Sequence, residues 1–128
     1  MTEADNGSDA AALSETLGLV RIVEMDPAGR ATIEYRAGPH MCHSGGVVQG
    51  GFVSGWIDAA MAHAAIAMAG PGVVPMSLEL KVSFFAPARP GLVVAEGRAA
   101  GLSRRALLRD LAQVPGVFGI KEATGNIE

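Results

Sequence analysis

From Gly50 to about Ala69 the chain reads GGFVSGWIDAAMAHAAIAMA, twenty residues without a proline and with seven alanines. Phe52, Trp56, Met61 and Ile66 recur at near-helical spacing, and Ala and Gly fill the remaining positions. A helix that is apolar nearly all round has to be buried on most sides. One such helix needs a sheet or other helices to cover it, and the rest of the chain supplies strand patterns. This segment therefore sets the architecture: strands wrapped around a single central helix. The AGPG that follows ends the helix, with glycine free to leave the helical backbone and proline unable to continue it.

The flanking segments fit that frame. LVRIVEMDPAGRATIEYRA reads as two short strands around a DPAG turn, where Pro27 pre-sets the bend and Gly29 tolerates positive φ. GPHMCHSGG is a loop by its glycines and proline. In PMSLELKVSFFAP, Met76, Leu78, Leu80, Val82 and Phe84 alternate with Ser77, Glu79, Lys81 and Ser83. That alternation predicts a strand with one apolar and one wet or functional face. PARPG turns the chain, and LVVAEGRAAGL reads as a further strand. SRRALLRDLAQ has helix propensity, whereas GVFGIKEATGNIE reads as a final strand weakened by glycines. Strands, one long helix and more strands make an α+β chain with an antiparallel sheet. Residues 1–12 read as a flexible tail and 13–128 as one domain, which suits a chain of 128 residues.

Composition removes several functions. Only 5% of residues are aromatic, the formal charge is −3, and no Lys/Arg run exceeds two residues. Nucleic acid is not an expected partner. Cys42 is the only cysteine, so no internal disulfide can form, in keeping with a reducing compartment. The acidic start MTEADNGSDAAALSE lacks the basic-then-apolar order of a signal peptide. Asp58 and His63 interrupt the longest apolar stretch, which makes it a poor membrane span. The expectation is a cytoplasmic protein. His40, Cys42 and His43 lie together in HMCHS, but in no known zinc-motif spacing, so no metal is expected. Cys42 has a nearby histidine, yet it fits no local cysteine-hydrolase signature and reads as a small packed residue.

Asp58 is the anomaly in the helix. No Lys or Arg lies within the helix to pair with it. A buried, unpaired carboxylate is costly or takes up a proton, so Asp58 is either a site residue or sits on a solvated edge. Gly50 and Gly51 open the same helix, where backbone N–H groups lack partners and the dipole is positive. No Lys-Ser/Thr follows these glycines, which argues against a phosphate loop. Donors with no side chain in the way can instead approach a developing oxyanion.

The same residues carry a family likeness. CHSGGVVQGGFVSGWIDAAM followed by VPMSLELKVSFFAPARPG resembles the hotdog-fold acyl-CoA thioesterases, in particular the phenylacetate-degradation-type, 4-hydroxybenzoyl-CoA thioesterase-like branch. That branch shows Asn-Pro-x-Gly-x-Val-(His/Gln)-Gly-Gly, then Asp or Glu nine residues after the His/Gln. Gln49 and Asp58 keep this interval. The resemblance runs from about His40 to Arg98. It implies a hotdog fold: a curled antiparallel sheet of about five to six strands around one long helix, with strands also in the last quarter of the chain. It implies a thioesterase that cleaves an acyl-CoA or aryl-CoA to free acid and coenzyme A, with no cofactor beyond the substrate's own coenzyme A. By position, Asp58 matches the general base or nucleophile, and Gly50 the backbone donor to the thioester carbonyl. Gln49 stands near that carbonyl, and Ser77 matches a hydroxyl that holds the attacking water. His43 stands where the family usually has Asn. Phe84, Ser103, Arg104 and Arg105 would lie along the coenzyme A arm. The depth and shape of the acyl pocket depend on residues such as Phe52, Trp56 and Met61 and on the partner chain, while Trp56 by itself reads as core or dimer packing.

Spacing adds one inference of its own. Gly50 and Asp58 are eight residues apart on one helix, about 12 Å along its axis. One carbonyl cannot touch both, so a shared site needs two copies of the helix, which predicts a homodimer or a dimer of dimers. A non-catalytic acyl-CoA binder and an enoyl- or hydroxyacyl-CoA hydratase on the same fold are the alternative functions. The Asp-His pair usual in such hydratases is not found here.

Overall fold

The computed structural model describes residues 11–99 together with 126 and 127. Residues 11–17 form a helix, α1, so positions 11 and 12 are ordered as helix rather than tail. Strand β1 (Leu19–Asp26) leads through a tight turn into β2 (Arg30–Ala37). Asp26 builds that turn. Its carbonyl accepts the Gly29 N–H at 2.8 Å and its carboxylate accepts the Ala28 N–H at 2.9 Å, while Gly29 takes φ +98°. A short 3-10 turn, Pro39–Met41, precedes the long helix α2 (Gly50–Ala69). Strand β3 (Gly91–Arg98) and the two-residue β4 (Asn126–Ile127) complete an antiparallel sheet in the order β1-β2-β3-β4.

The sheet buries one face against α2. Ala31, Ile33, Tyr35 and Ala37 of β2 and Val93 and Ala95 of β3 are buried, and all of these but Ala31 form one core cluster with Trp56 and Ala60 of the helix. Trp56 is fully buried, stacks on Tyr35 with ring centroids 6.0 Å apart, and donates its indole N–H to the Leu17 carbonyl at 2.8 Å. That bond ties the end of α1 to the core and satisfies the one polar atom a buried tryptophan carries. Gly97 permits the closest approach, since a Cβ there would collide with the Ala60 carbonyl. The alanines of α2 and the glycine of β3 are thus two halves of one contact. By length and composition α2 could cross a membrane, and half of its most apolar stretch is buried within this domain.

Among the described residues the sheet has three full strands and the short β4; residues 100–125, where two of the expected five to six strands would fall, lie outside the described residues. The fold corrects the sequence reading at one strand. The segment from residue 75 to 87 was expected to be a strand and forms no ladder among the described residues. Both of its rows are largely uncovered, with Met76, Leu78, Leu80 and Phe84 exposed. Ser77 and Phe84, assigned to opposite faces by the alternation, both reach α2. Alternation fixes a strand only where a neighbour supplies the ladder and a core covers one face, and the described residues of one chain supply neither.

Candidate active site

Helix α2 carries the expected site at two levels. Its first turn is fed by a tightly bonded approach. Val48 N–H donates to the Ala88 carbonyl at 2.8 Å, Gln49 N–H donates to the Met41 carbonyl at 2.9 Å, and Cys42 and Val48 form a β-bridge. Gln49 is the N-cap residue, and its carbonyl accepts the Phe52 N–H at 3.0 Å. The Gly50 and Gly51 N–H groups have no acceptor among the described residues, as the first positions of a helix require. They form the positive end of a twenty-residue helix. The Gln49 amide folds back beside Gly51, where a Cβ would come within 2.9 Å of Oε1. Phe84 lies over Gly50, its Cζ 3.3 Å from where a Cβ would stand.

Two turns along the helix, Asp58 is half-buried and accepts a short hydrogen bond from the Ser77 hydroxyl. The bond brings together two residues nineteen positions apart. It holds the carboxylate in one orientation and leaves its second oxygen available. Asp58 faces away from the residues of α2 that pack on the sheet, since its neighbours Ile57, Ala60 and Met61 are buried and it is not. It is therefore neither enclosed nor fully solvated in one chain, a middle case between the two readings its sequence allowed.

An open groove of about 400 Å³ runs beside the helix start, lined by Val47, Val53, Phe84, Phe85 and Pro87 among others, with Gly50 at its wall. Its lining is mainly apolar, and Phe85 is 96% exposed. Val53, Phe85 and Pro87 were not singled out from the sequence, although the adjacent Phe84-Phe85 pair before a proline was a visible signal of an uncovered apolar edge. Phe52 is half-buried against the core, Trp56 lies in the core as read from the sequence, and Met61 is buried. His43 is exposed in the turn before α2, and its Nδ1 accepts the Gly45 N–H at 3.1 Å. Cys42 is partly buried against the core, with its thiol 3.7 Å from the Gly38 carbonyl. No group of three or more His, Cys, Asp or Glu that could hold a metal occurs among the described residues. Ser103, Arg104 and Arg105 lie outside the described residues.

The structure thus joins Asp58 to Ser77, and Gly50 to Phe84, but keeps the two pairs apart. Gly50 and Asp58 stand on one unbroken helix, about 12 Å apart along its axis.

Comparison with known proteins gives this arrangement a family. The model of the thioesterase superfamily matches residues 45–107, which span the helix start, Asp58 and Ser77. A phenylacetic acid degradation-related protein from Ralstonia eutropha JMP134 is 32% identical, with a TM-score of 0.66 over 73% of this chain and 70% of that one. A point mutant of the phenylacetic acid degradation protein PaaI from Thermus thermophilus is 26% identical, with a TM-score of 0.61 over 73% of this chain and 76% of that one. A thioesterase family protein from Silicibacter pomeroyi is 25% identical, with a TM-score of 0.63 over 76% of this chain and 72% of that one. No curated protein matches the chain. The chain belongs to the thioesterase superfamily, in its hotdog-fold, PaaI-like branch, and is a thioester hydrolase.

Proposed function

We propose that the protein hydrolyses acyl-CoA or aryl-CoA thioesters to the free acid and coenzyme A, in a site shared by two copies of the chain. The observation that carries this reading is the pairing of a hydroxyl-oriented carboxylate, Asp58 with Ser77, with free backbone donors at the start of the same helix. Water lies against Asp58 and Ser77. As its oxygen attacks the thioester carbon, Asp58 takes its proton. The carbonyl oxygen becomes an oxyanion and is met by the Gly50 N–H of the other copy, with Gln49 beside it. A donor of this kind is worth about 3 kcal/mol of barrier. The C–S bond then breaks, and the thiolate leaves and collects a proton. The groove beside Phe84 suits an apolar group next to the carbonyl. Asp58 acting as a nucleophile on the thioester carbon is the alternative route through the same residues.

Distance supports a second copy, because Gly50 and Asp58 of one helix cannot both reach the same carbonyl. The uncovered apolar row Met76, Leu78, Leu80 and Phe84 supports it, because so much exposed apolar surface is unusual in a monomer. In this reading the assembled subunit completes a curled sheet of five to six strands. Phe84 and Ser103 lie along the coenzyme A arm and Arg104 and Arg105 neutralise its phosphates, the assembly is a homodimer or a dimer of dimers, and the enzyme works in the cytoplasm without metal or other cofactor.

Thiol release from a panel of acyl- and aryl-CoA esters tests the proposal, with wild type and Asp58→Asn side by side. Turnover by the wild type that is lost in Asp58→Asn, with coenzyme A binding retained, supports it. Tight binding with negligible turnover by both chains makes the protein an acyl-CoA binder instead.

A further inference from the structure

His43 sits at the corner of a small closed turn. Its backbone N–H donates to the Val47 carbonyl at 3.0 Å, and its carbonyl accepts the Gly46 N–H at 3.0 Å. Its ring completes the turn from inside, with Nδ1 accepting the N–H of Gly45 two residues on at 3.1 Å. A side chain that accepts the N–H two positions later is what asparagine and aspartate ordinarily provide in turns. Nδ1 of histidine and Oδ1 of asparagine are both bonded to Cγ, so this imidazole reproduces an asparagine turn. The ring packs directly on Gly45, where a Cβ would lie 3.1 Å from Cε1.

The two side chains differ in one respect. An amide oxygen accepts a hydrogen bond at any ordinary pH. Nδ1 accepts only while the ring is neutral with its proton on Nε2, and in the imidazolium both nitrogens are donors. Histidine is also the side chain whose ordinary charge change falls between pH 5 and 8. The turn closes at Val47, and Val48, Gln49 and Gly50 follow at once. Its geometry therefore feeds the helix start that presents the free N–H groups.

We propose that His43 is a positioning residue whose neutral ring holds the 43–47 turn, so that presentation of the α2 N-terminus depends on the protonation state of this one imidazole. The titratable side chains on the segments bonded to the turn are His40, Cys42 and Arg89, and none of them forms a hydrogen bond or ion pair with His43 among the described residues. The structural part rests on the turn alone. The catalytic consequence rests on the thioesterase reading, in which a loosened helix start weakens the oxyanion contact and lowers kcat more than it raises KM.

The test is nitrogen-proton NMR of the full-length protein from pH 5 to 8, paired with pH profiles of thioester turnover. The expected result is an Nε2–H ring at high pH and a Gly45 amide resonance that moves with the same midpoint as the His43 ring. Turnover by the wild type drops about threefold to tenfold across that midpoint, less than loss of a whole oxyanion donor. In His43→Asn the Gly45 amide stays bonded throughout and the step in kcat disappears. In His43→Ala kcat is low at every pH. A proton on Nδ1 at high pH, or a Gly45 amide indifferent to the ring's titration, overturns the inference even if the enzyme is active. A Gly45 amide that follows the ring, in a protein with no turnover on any thioester, supports the turn and sinks the thioesterase reading instead.

Discussion

The two sides of helix α2 obey different rules. The side toward the sheet is finished within one chain: Trp56 and Ala60 have no exposed surface, and the indole N–H has its partner. The opposite side carries Asp58, the Ser77 hydroxyl, the open groove at Phe84 and the exposed row from Met76 to Phe84. Packing decides the first, and small changes of volume there should be felt as stability. The second has its polar groups placed but not enclosed, and on the proposed reading it holds the chemistry. In the proposed reading the domain concentrates its folding free energy on one face and leaves the other for substrate and a second copy.

Mutations on the two sides should therefore separate cleanly. The largest effect is expected from Asp58→Asn, which should lower thioester turnover by about 10²- to 10⁴-fold, the range for loss of a general base, while leaving the urea midpoint close to wild type. A large loss of stability in this variant would break the contrast. Trp56→Ala on the packed side should do the opposite and cost about 3–5 kcal/mol in chemical denaturation, because it removes the ring that stacks on Tyr35 and the bond to Leu17. A midpoint unchanged by that substitution would mean that the core is not where the structure puts it.

Tyr35 sharpens the comparison through pH. Burial pushes its phenol up to about 12, against about 10 in an unfolded chain. A raised folded value means that its contribution is complete below pH 10 and is lost as pH climbs toward 12, because the unfolded state ionises first. Between wild type and Tyr35→Phe, the difference in stability should shrink or reverse by about 2 kcal/mol over that window. Parallel pH curves for the two proteins would place Tyr35 in solvent. The smallest effect belongs to the outer face of the sheet, where the Arg21 guanidinium 2.8 Å from Glu34 holds that carboxyl below its usual value. The contribution of Glu34 is present at neutral pH and fades as pH falls through its lowered folded value. Glu34→Gln should produce only a slight, salt-sensitive shift in the melting temperature, as exposed ion pairs do.

Most of the architecture was legible because it is local. The all-round apolar pattern from Gly50 to Ala69 gave α2 at its observed bounds, and DPAG gave the β1–β2 turn. The link between Asp58 and Ser77 was legible only through family likeness, because one serine on an alternating strand has no signal of its own. Trp56 was read as core or dimer packing and is core, whereas spacing alone cannot say which side of an all-apolar helix meets the sheet. The segment around Leu80 was misread because alternation alone does not make a strand: it needs a ladder and a covering core, and the described residues supply neither. The acceptor role of His43 depends on ring orientation, which no sequence pattern encodes.

The central claim is that a carboxylate and a helix-start amide from two chains act on one carbonyl, and mixed subunits test it directly. Gly50→Pro deletes the single N–H at the first helical position, where proline is tolerated, and Gln49 already has the extended backbone that a following proline needs. Gly50→Pro and Asp58→Asn chains should each be inactive alone. Co-assembled in equal amounts, they should recover about a quarter of wild-type turnover, because half of the dimers are mixed and each mixed dimer rebuilds one of its two sites. Mixed dimers that form but remain as inactive as either parent would contradict a site shared between subunits.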